Sequence, residues 1–175
     1  MTISNEGIEM NTMNTEELLK SARGLIKAAE NCFFITATGD GHPHARLMQP
    51  YDAEPDFTIY FGASPRSRKV QELGRQSKVS LAFYNQLETS YLTLMGTAST
   101  THDPALCQKY WRSNWNDLFP GGPESSDYVL IKFVPNRIEM MNYAHQAMPQ
   151  PYSLHPTVLV REGKTWKLAT EVESL

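Results

Sequence analysis

The chain is poor in cysteine, has no excess of positive charge and contains no long apolar run. Its two cysteines, Cys32 and Cys107, stand far apart and form no CxxC pair. That argues against a disulfide scaffold and fits a reduced cytoplasmic protein. Sixteen Lys and Arg against nineteen Asp and Glu give a formal charge of −3. A general nucleic-acid binder, whose domains carry a net basic face, is therefore not expected. No apolar stretch approaches the roughly 18–20 residues of a membrane span. The polar, acidic first residues hold no apolar signal region, and the chain has neither a repeat nor a low-complexity tract. What it does have is core material. Hydrophobic residues make up 41% and aromatics 10% of 175 residues, enough to exclude disorder for most of the chain. The expectation is a soluble, cytoplasmic, single-domain protein with no membrane or nucleic-acid partner.

Hydrophobic spacing sets out the order of elements. Residues 1–13 read as a loose leader. Thr15, Glu16 and Glu17 open a helix over 15–29, in which Leu18, Leu19, Ala22, Leu25, Ile26 and Ala29 recur at helical spacing. A strand over 32–38, the turn residues Gly39-Asp40-Gly41-His42-Pro43 and a strand over 44–51 make a hairpin. Then come a strand over 57–62, a short basic helix within 64–75, and strands over 79–84 and 91–98, with Gly96 as a bulge or close-approach point. Asp103-Pro104 caps a helix reaching about Arg112. Residues 114–126, with Phe119-Pro120-Gly121-Gly122-Pro123, hold too many breakers for regular structure. Residues 128–133 and 137–141 form a strand pair, or one long strand broken near Pro135. Residues 144–156 read as loop and 157–168 as a small hairpin turning at Glu162-Gly163-Lys164. Seven or eight strands with three helices predict a mainly β, barrel-like α+β domain.

Chemistry concentrates in Arg66-Ser67-Arg68-Lys69. Three cations, a hydroxyl and free backbone N–H groups suit a phosphate monoester, although a basic helix start is also an ordinary solvated surface. Arg46, leaving the preceding hairpin, could converge on the same space, and Gly62 and Ala63 would let a ligand approach the backbone. Trp111 and Trp115, four apart, either stack on a planar ligand or plug a barrel end or an interface. His42 and His44 have no acid or cysteine cluster beside them, so no metal site is expected. Cys32 and Cys107 read as buried and unreactive. Met140, Met141, Met148, Tyr143 and Tyr152 either line a pocket or pack an edge.

The succession of Asp40-Gly41-His42-Pro43, Arg46-Leu47-Met48-Gln49-Pro50, Tyr60-Phe61-Gly62 and Ser67-Arg68-Lys69 resembles the FMN-binding split barrels, the pyridoxamine 5′-phosphate oxidase-like proteins. The segments 91–98 and 127–135 continue the match. The stretch Trp111, Trp115, Phe119-Pro120-Gly121-Gly122 is similar to the general stress protein 26 branch. The resemblance covers roughly residues 15–142. It implies a six-stranded split β-barrel, over 14–142, that forms a homodimer with FMN bound across the interface. The phosphate would be held by Arg46, Ser67, Arg68 and Lys69. Leu47, Met48 and Gln49 would face the isoalloxazine, Phe61, Gly62 and Ala63 would approach it, and Trp111 and Trp115 would join the cofactor site.

True pyridoxamine phosphate oxidases carry a C-terminal Arg and His motif. Here Arg161 and His155 match it in neither spacing nor context, so vitamer oxidation is not expected. Residues 143–175 form an extension packed on the barrel or on the partner chain, with His145, Gln146, Tyr152 and His155 in the loop that leads into the hairpin. The implied activity is an FMN-dependent oxidoreductase acting on a small molecule. The alternatives are a non-catalytic flavin-binding stress or sensing protein, or the same fold holding FAD, a deazaflavin or haem.

Overall fold

The computed structural model describes residues 13–37, 39, 41–144 and 155–169. The chain enters through a capping box. Asn14 Oδ1 accepts from the Glu17 backbone N–H at 3.0 Å, and the Glu17 carboxylate accepts from the Asn14 N–H at 2.8 Å. These contacts satisfy donors that the first turn of a helix leaves free. Helix α1 (Thr15–Ala28) then buries Leu18, Ala22, Leu25 and Ile26 on one side.

Strands β1 (Cys32–Ala37) and β2 (Pro43–Met48) pair as the expected hairpin, with Phe34 opposite Arg46 and Thr36 opposite His44. Asp40 of the turn lies outside the described residues. The second strand ends three residues earlier than the sequence suggests. Pro50 has no N–H for a ladder and pushes Gln49 out of regular pairing, and the Tyr51 N–H donates instead to the Tyr60 carbonyl at 3.0 Å.

Strand β3 (Ile59–Ala63) starts later than predicted. Phe57, which reads as a strand residue, sits at φ 68° in a turn where its N–H donates to Glu54 O at 2.9 Å. Helix α2 (Arg68–Leu73) is also shorter than predicted. Strands β4 (Lys78–Asn85) and β5 (Ser90–Thr101) form a second hairpin, and α3 (Pro104–Lys109) follows with Asp103 accepting from the Leu106 N–H at 2.9 Å. The breaker-rich segment is not wholly irregular, because Ser113–Trp115 and Gly122–Glu124 are single 3-10 turns. Such turns need few residues, and the proline inside the second supplies a fixed φ that suits it.

The last barrel strand is one long strand, β6 (Val129–Met141), which pairs with both β3 and β5. Pro135 is tolerated inside it because it faces Gly96, where the β5 register already shifts. A Cβ on Gly96 would lie 2.2 Å from the Val134 carbonyl oxygen, so only glycine allows the strands to approach so closely there. Strands β7 (Thr157–Glu162) and β8 (Thr165–Leu168) are the predicted C-terminal hairpin, and β7 adds to the free edge of β6.

The result is one antiparallel eight-stranded sheet of order β2-β1-β4-β5-β6-β7-β8, with β3 on the other part of β6. Its inner face and α1 enclose a core containing Phe34, Phe61, Leu81, Leu92, Leu94, Phe133 and Ile138. No helix among the described residues is long and apolar enough to cross a membrane.

Candidate functional site

The two-residue period of β2 decides what its side chains can do. His44, Arg46 and Met48 turn inward and are half-buried, while Pro43, Ala45 and Leu47 are exposed on the outer face. Inside, Arg46 meets β1 and α2. Its Nη1 donates to Thr36 Oγ1 at 2.6 Å and to the Phe34 carbonyl at 3.5 Å, and its Nη2 donates to Glu72 Oε2 at 2.7 Å. Glu72 is the hub. It also accepts from Thr36 Oγ1 at 2.5 Å, has His44 Nδ1 at 2.7 Å and lies 3.5 Å from Arg68 Nε, one helical turn away on α2. Burial pushes the Glu72 carboxyl pKa upward. The hydrogen bonds from Thr36, His44 and Arg46, with the charge of Arg46, outweigh that and hold it at about 2.

The positive side of this cluster is not closed. Lys69 is half-buried beside Arg46 and makes no hydrogen bond or ion pair with any described residue. Burial, and then the Arg46 charge, push its pKa down from the ordinary lysine value. Next to it, Ser67 Oγ is fully buried with no partner among the described residues. Buried polar groups normally find partners, and a half-buried ammonium beside a guanidinium calls for an anion. The donors fit a phosphate group.

The remaining predicted residues occupy three different positions. Phe61 and Ala63 point into the core, where Phe61 packs edge-on against Phe34 at 5.3 Å between ring centroids, so only their backbone can meet a ligand. Met48 packs against the same core, while Leu47 is 63% exposed on the outer face. Gly62 faces the opposite side of β3, into a second cluster formed by Tyr51, Tyr60, Cys107, Tyr110, Trp111, Trp115, Phe119 and Tyr128.

Trp115 lies so close over Gly62 that a Cβ there would fall 2.0 Å from its ring. Trp111 meets Tyr128 edge-on at 5.1 Å. In this structure both tryptophans are partly buried against this second cluster. Gln49 is exposed just beyond β2, and its side-chain oxygen accepts a hydrogen bond from Arg112.

The fold brings Arg46, Ser67, Arg68 and Lys69 to one place; sequence reasoning missed Glu72 and Thr36 beside them, and Arg112 at Gln49. The four-residue spacing of Arg68 and Glu72 was the available signal for the carboxylate. Arg112 sits far from Gln49 along the chain and had no local signal.

Other residues singled out by the sequence stand apart from this cluster. Cys32 is buried, with its thiol pKa pushed up to about 12 by burial. Arg161 is committed to Pro135 O and Asp56. Among the described residues no group of three or more His, Cys, Asp or Glu could hold a metal ion. His145, Gln146, Met148 and Tyr152 lie outside the described residues.

Known proteins share this architecture. Among solved structures, a protein from Clostridium acetobutylicum related to general stress protein 26 of B. subtilis superimposes with a TM-score of 0.64 at 20% identity, covering 75% of this chain and 92% of that one. General stress protein 26 from Bacillus anthracis matches with a TM-score of 0.61 at 26% identity, over 74% of this chain and 95% of that one. A pyridoxamine 5′-phosphate oxidase-related, FMN-binding protein from Nostoc punctiforme matches with a TM-score of 0.59 at 16% identity, over 87% and 92%. No curated protein matches the chain. The family model for pyridoxamine 5′-phosphate oxidase like proteins matches residues 17–156. With the split-barrel sheet, the bulge at Gly96 and the Arg46 to Lys69 cluster in their expected order, the chain belongs to the pyridoxamine 5′-phosphate oxidase like family.

Proposed function

We propose that the protein binds FMN and works as an FMN-dependent oxidoreductase on a small molecule. The observation that carries this reading is the pair of Lys69 and Ser67 Oγ beside Arg46, neither of which has a partner among the described residues. Arg46, Arg68 and Lys69 against Glu72 leave a double positive charge, which matches a phosphate monoester near neutral pH. Arg46 is already held on one side by Glu72 and Thr36, so it needs little reordering to meet an anion. Lys69 supplies a point charge and Ser67 a hydroxyl donor. FMN, when bound, supplies the redox chemistry. The chain's part is to grip the phosphate and orient the ring along residues 47–49.

The active form in this reading is a homodimer. The outer face of β2, β1, β4 and β5 is apolar where a soluble monomer would be polar. Phe33 stands in register with Leu47 and Ala82, and Tyr84 pairs with the partly exposed Tyr91. Phe33, Leu47 and Tyr84 are 51%, 63% and 59% exposed. An exposed apolar patch of this kind marks an interface, and a second copy is the self-complementary occupant.

A second reading, a flavin-binding stress protein without turnover, draws on the 26% identity to general stress protein 26. The absorbance spectrum of the purified protein, before and after NADH or NADPH is added, tests both. Flavin bands bleached by nicotinamide support the oxidoreductase, and stable flavin bands favour the non-catalytic protein. A Soret band would assign haem in place of FMN, and a colourless protein that takes up no FMN would overturn both readings.

A further inference from the structure

Gln49 stands three residues after Arg46, at the point where β2 leaves the sheet, and it is exposed. Arg112 reaches it from the aromatic segment that follows α3. The guanidinium donates through Nη1 to Gln49 Oε1 and through Nη2 to the Pro50 carbonyl at 3.0 Å. It also lies over the Tyr51 ring at 4.4 Å and the Trp115 ring at 5.2 Å. Two hydrogen bonds and two aromatic faces leave the guanidinium one position.

That position dictates the orientation of the Gln49 amide. Arginine offers only donors, so the amide atom that faces it must be the oxygen. The amide nitrogen is then turned away from Arg112, and it has no partner among the described residues. We propose that Arg112 is a positioning residue: by holding Gln49 Oε1 it presents the Gln49 NH₂ as a donor to an acceptor atom of the isoalloxazine. The inference rests on the flavin reading and deepens it. The pyrimidine edge of a flavin carries carbonyl oxygens and unprotonated ring nitrogens, which need donors. A freely rotating glutamine would offer its oxygen as readily as its nitrogen.

The test is FMN titration of the apoprotein, followed by flavin fluorescence, on a small set of variants. Gln49→Glu keeps an acceptor for Arg112 but places a carboxylate oxygen where the donor stood. We expect its FMN dissociation constant to rise about tenfold or more, the scale of one lost hydrogen bond, with no fall in thermal midpoint. Arg112→Ala is expected to weaken FMN by a similar factor in the wild-type background and to have almost no further effect in a Gln49→Ala background, because Arg112 acts through that side chain. Equal losses from Arg112→Ala in both backgrounds would make Arg112 a structural residue and overturn the inference. If Arg112→Ala does not fold, Gln49→Glu decides alone, and FMN binding within about twofold of wild type overturns it. Wild-type protein that takes up no FMN overturns the flavin reading itself, an outcome distinct from tight wild-type binding that Gln49→Glu leaves unchanged.

Discussion

Removing the Glu72 carboxylate would leave Arg46, His44 and Thr36 each one partner short in a mostly buried space. Breaking a buried charge cluster from one side is costly, so Glu72→Ala should lose about 3–5 kcal/mol of stability in urea unfolding. The pH dependence follows from the direction of the shift. The carboxyl is depressed from 4.5 to about 2 in the fold, so its contribution is fully present above the unfolded value and disappears as the acid range is crossed downward. At 1.36 kcal/mol per unit this contribution is about 3 kcal/mol. Glu72→Gln lacks it, so the difference in melting temperature between wild type and Glu72→Gln should shrink between about pH 5 and about pH 2. A difference that stays constant across that range contradicts the charged hub.

The cations around Glu72 have a different test. Replacing Arg68 and Lys69 together with alanine should weaken FMN by about 2–4 kcal/mol, at roughly 1.5–3 per charged hydrogen bond with overlap. Riboflavin, which lacks the phosphate, should bind both proteins alike. Unchanged FMN affinity in the double variant would remove the phosphate assignment.

At the level of elements, the close approach of β5 to β6 at the register shift depends on Gly96. Because the clash would be with the backbone of Val134 and Pro135, no rotamer change relieves it. Gly96→Ala should cost about 1–3 kcal/mol, the usual range for overpacking, read as a lower denaturation midpoint. This glycine was legible in the sequence because an isolated glycine weakens an alternating strand and marks a bulge or a close backbone approach. The helix of residues 15–28, both barrel hairpins and the C-terminal hairpin were legible for similar reasons, since strong periodicity and turn residues agree locally. What escaped was set by distant partners. Phe57 has the composition of a strand, yet Arg23 over its ring at 4.0 Å and Trp166 edge-on at 5.7 Å hold it in a turn. Glu72 sits among cations in a segment that reads as wet, and it is buried against Thr36 of β1 and the inward row of β2. Phe61 and Ala63 were correctly placed on a strand, but the sequence did not say that their side chains face the core while Gly62 faces the second, aromatic cluster.

Across the whole molecule, two surfaces remain where the barrel must be completed, and the structure closes one of them. The free edge of β6 takes β7, which puts Leu159 fully in the core, while Trp166 and Arg161 reach Phe57 and Asp56. Leu159→Ala should therefore destabilise the barrel by about 2–5 kcal/mol, the range for a buried leucine. Truncation after Asn142 should give aggregated protein rather than a folded flavoprotein with altered turnover. The other surface is the outer face around Phe33, Leu47 and Tyr84, which nothing in the described chain covers. Burying it in a twofold dimer would remove aromatic and leucine side chains from water at about 25 cal/mol per Å². Light scattering at micromolar concentration should then give about twice 19.8 kDa. Phe33→Asp with Tyr84→Asp puts charges on that face, where association would have to desolvate them unpaired, and should yield a folded monomer. If the cofactor site draws on both protomers, that monomer should also lose FMN although Arg46, Arg68 and Lys69 are intact. A monomeric double variant that keeps wild-type FMN affinity would show that each chain holds its cofactor alone, and a wild-type chain that scatters as a monomer would leave the exposed face without the partner argued for it.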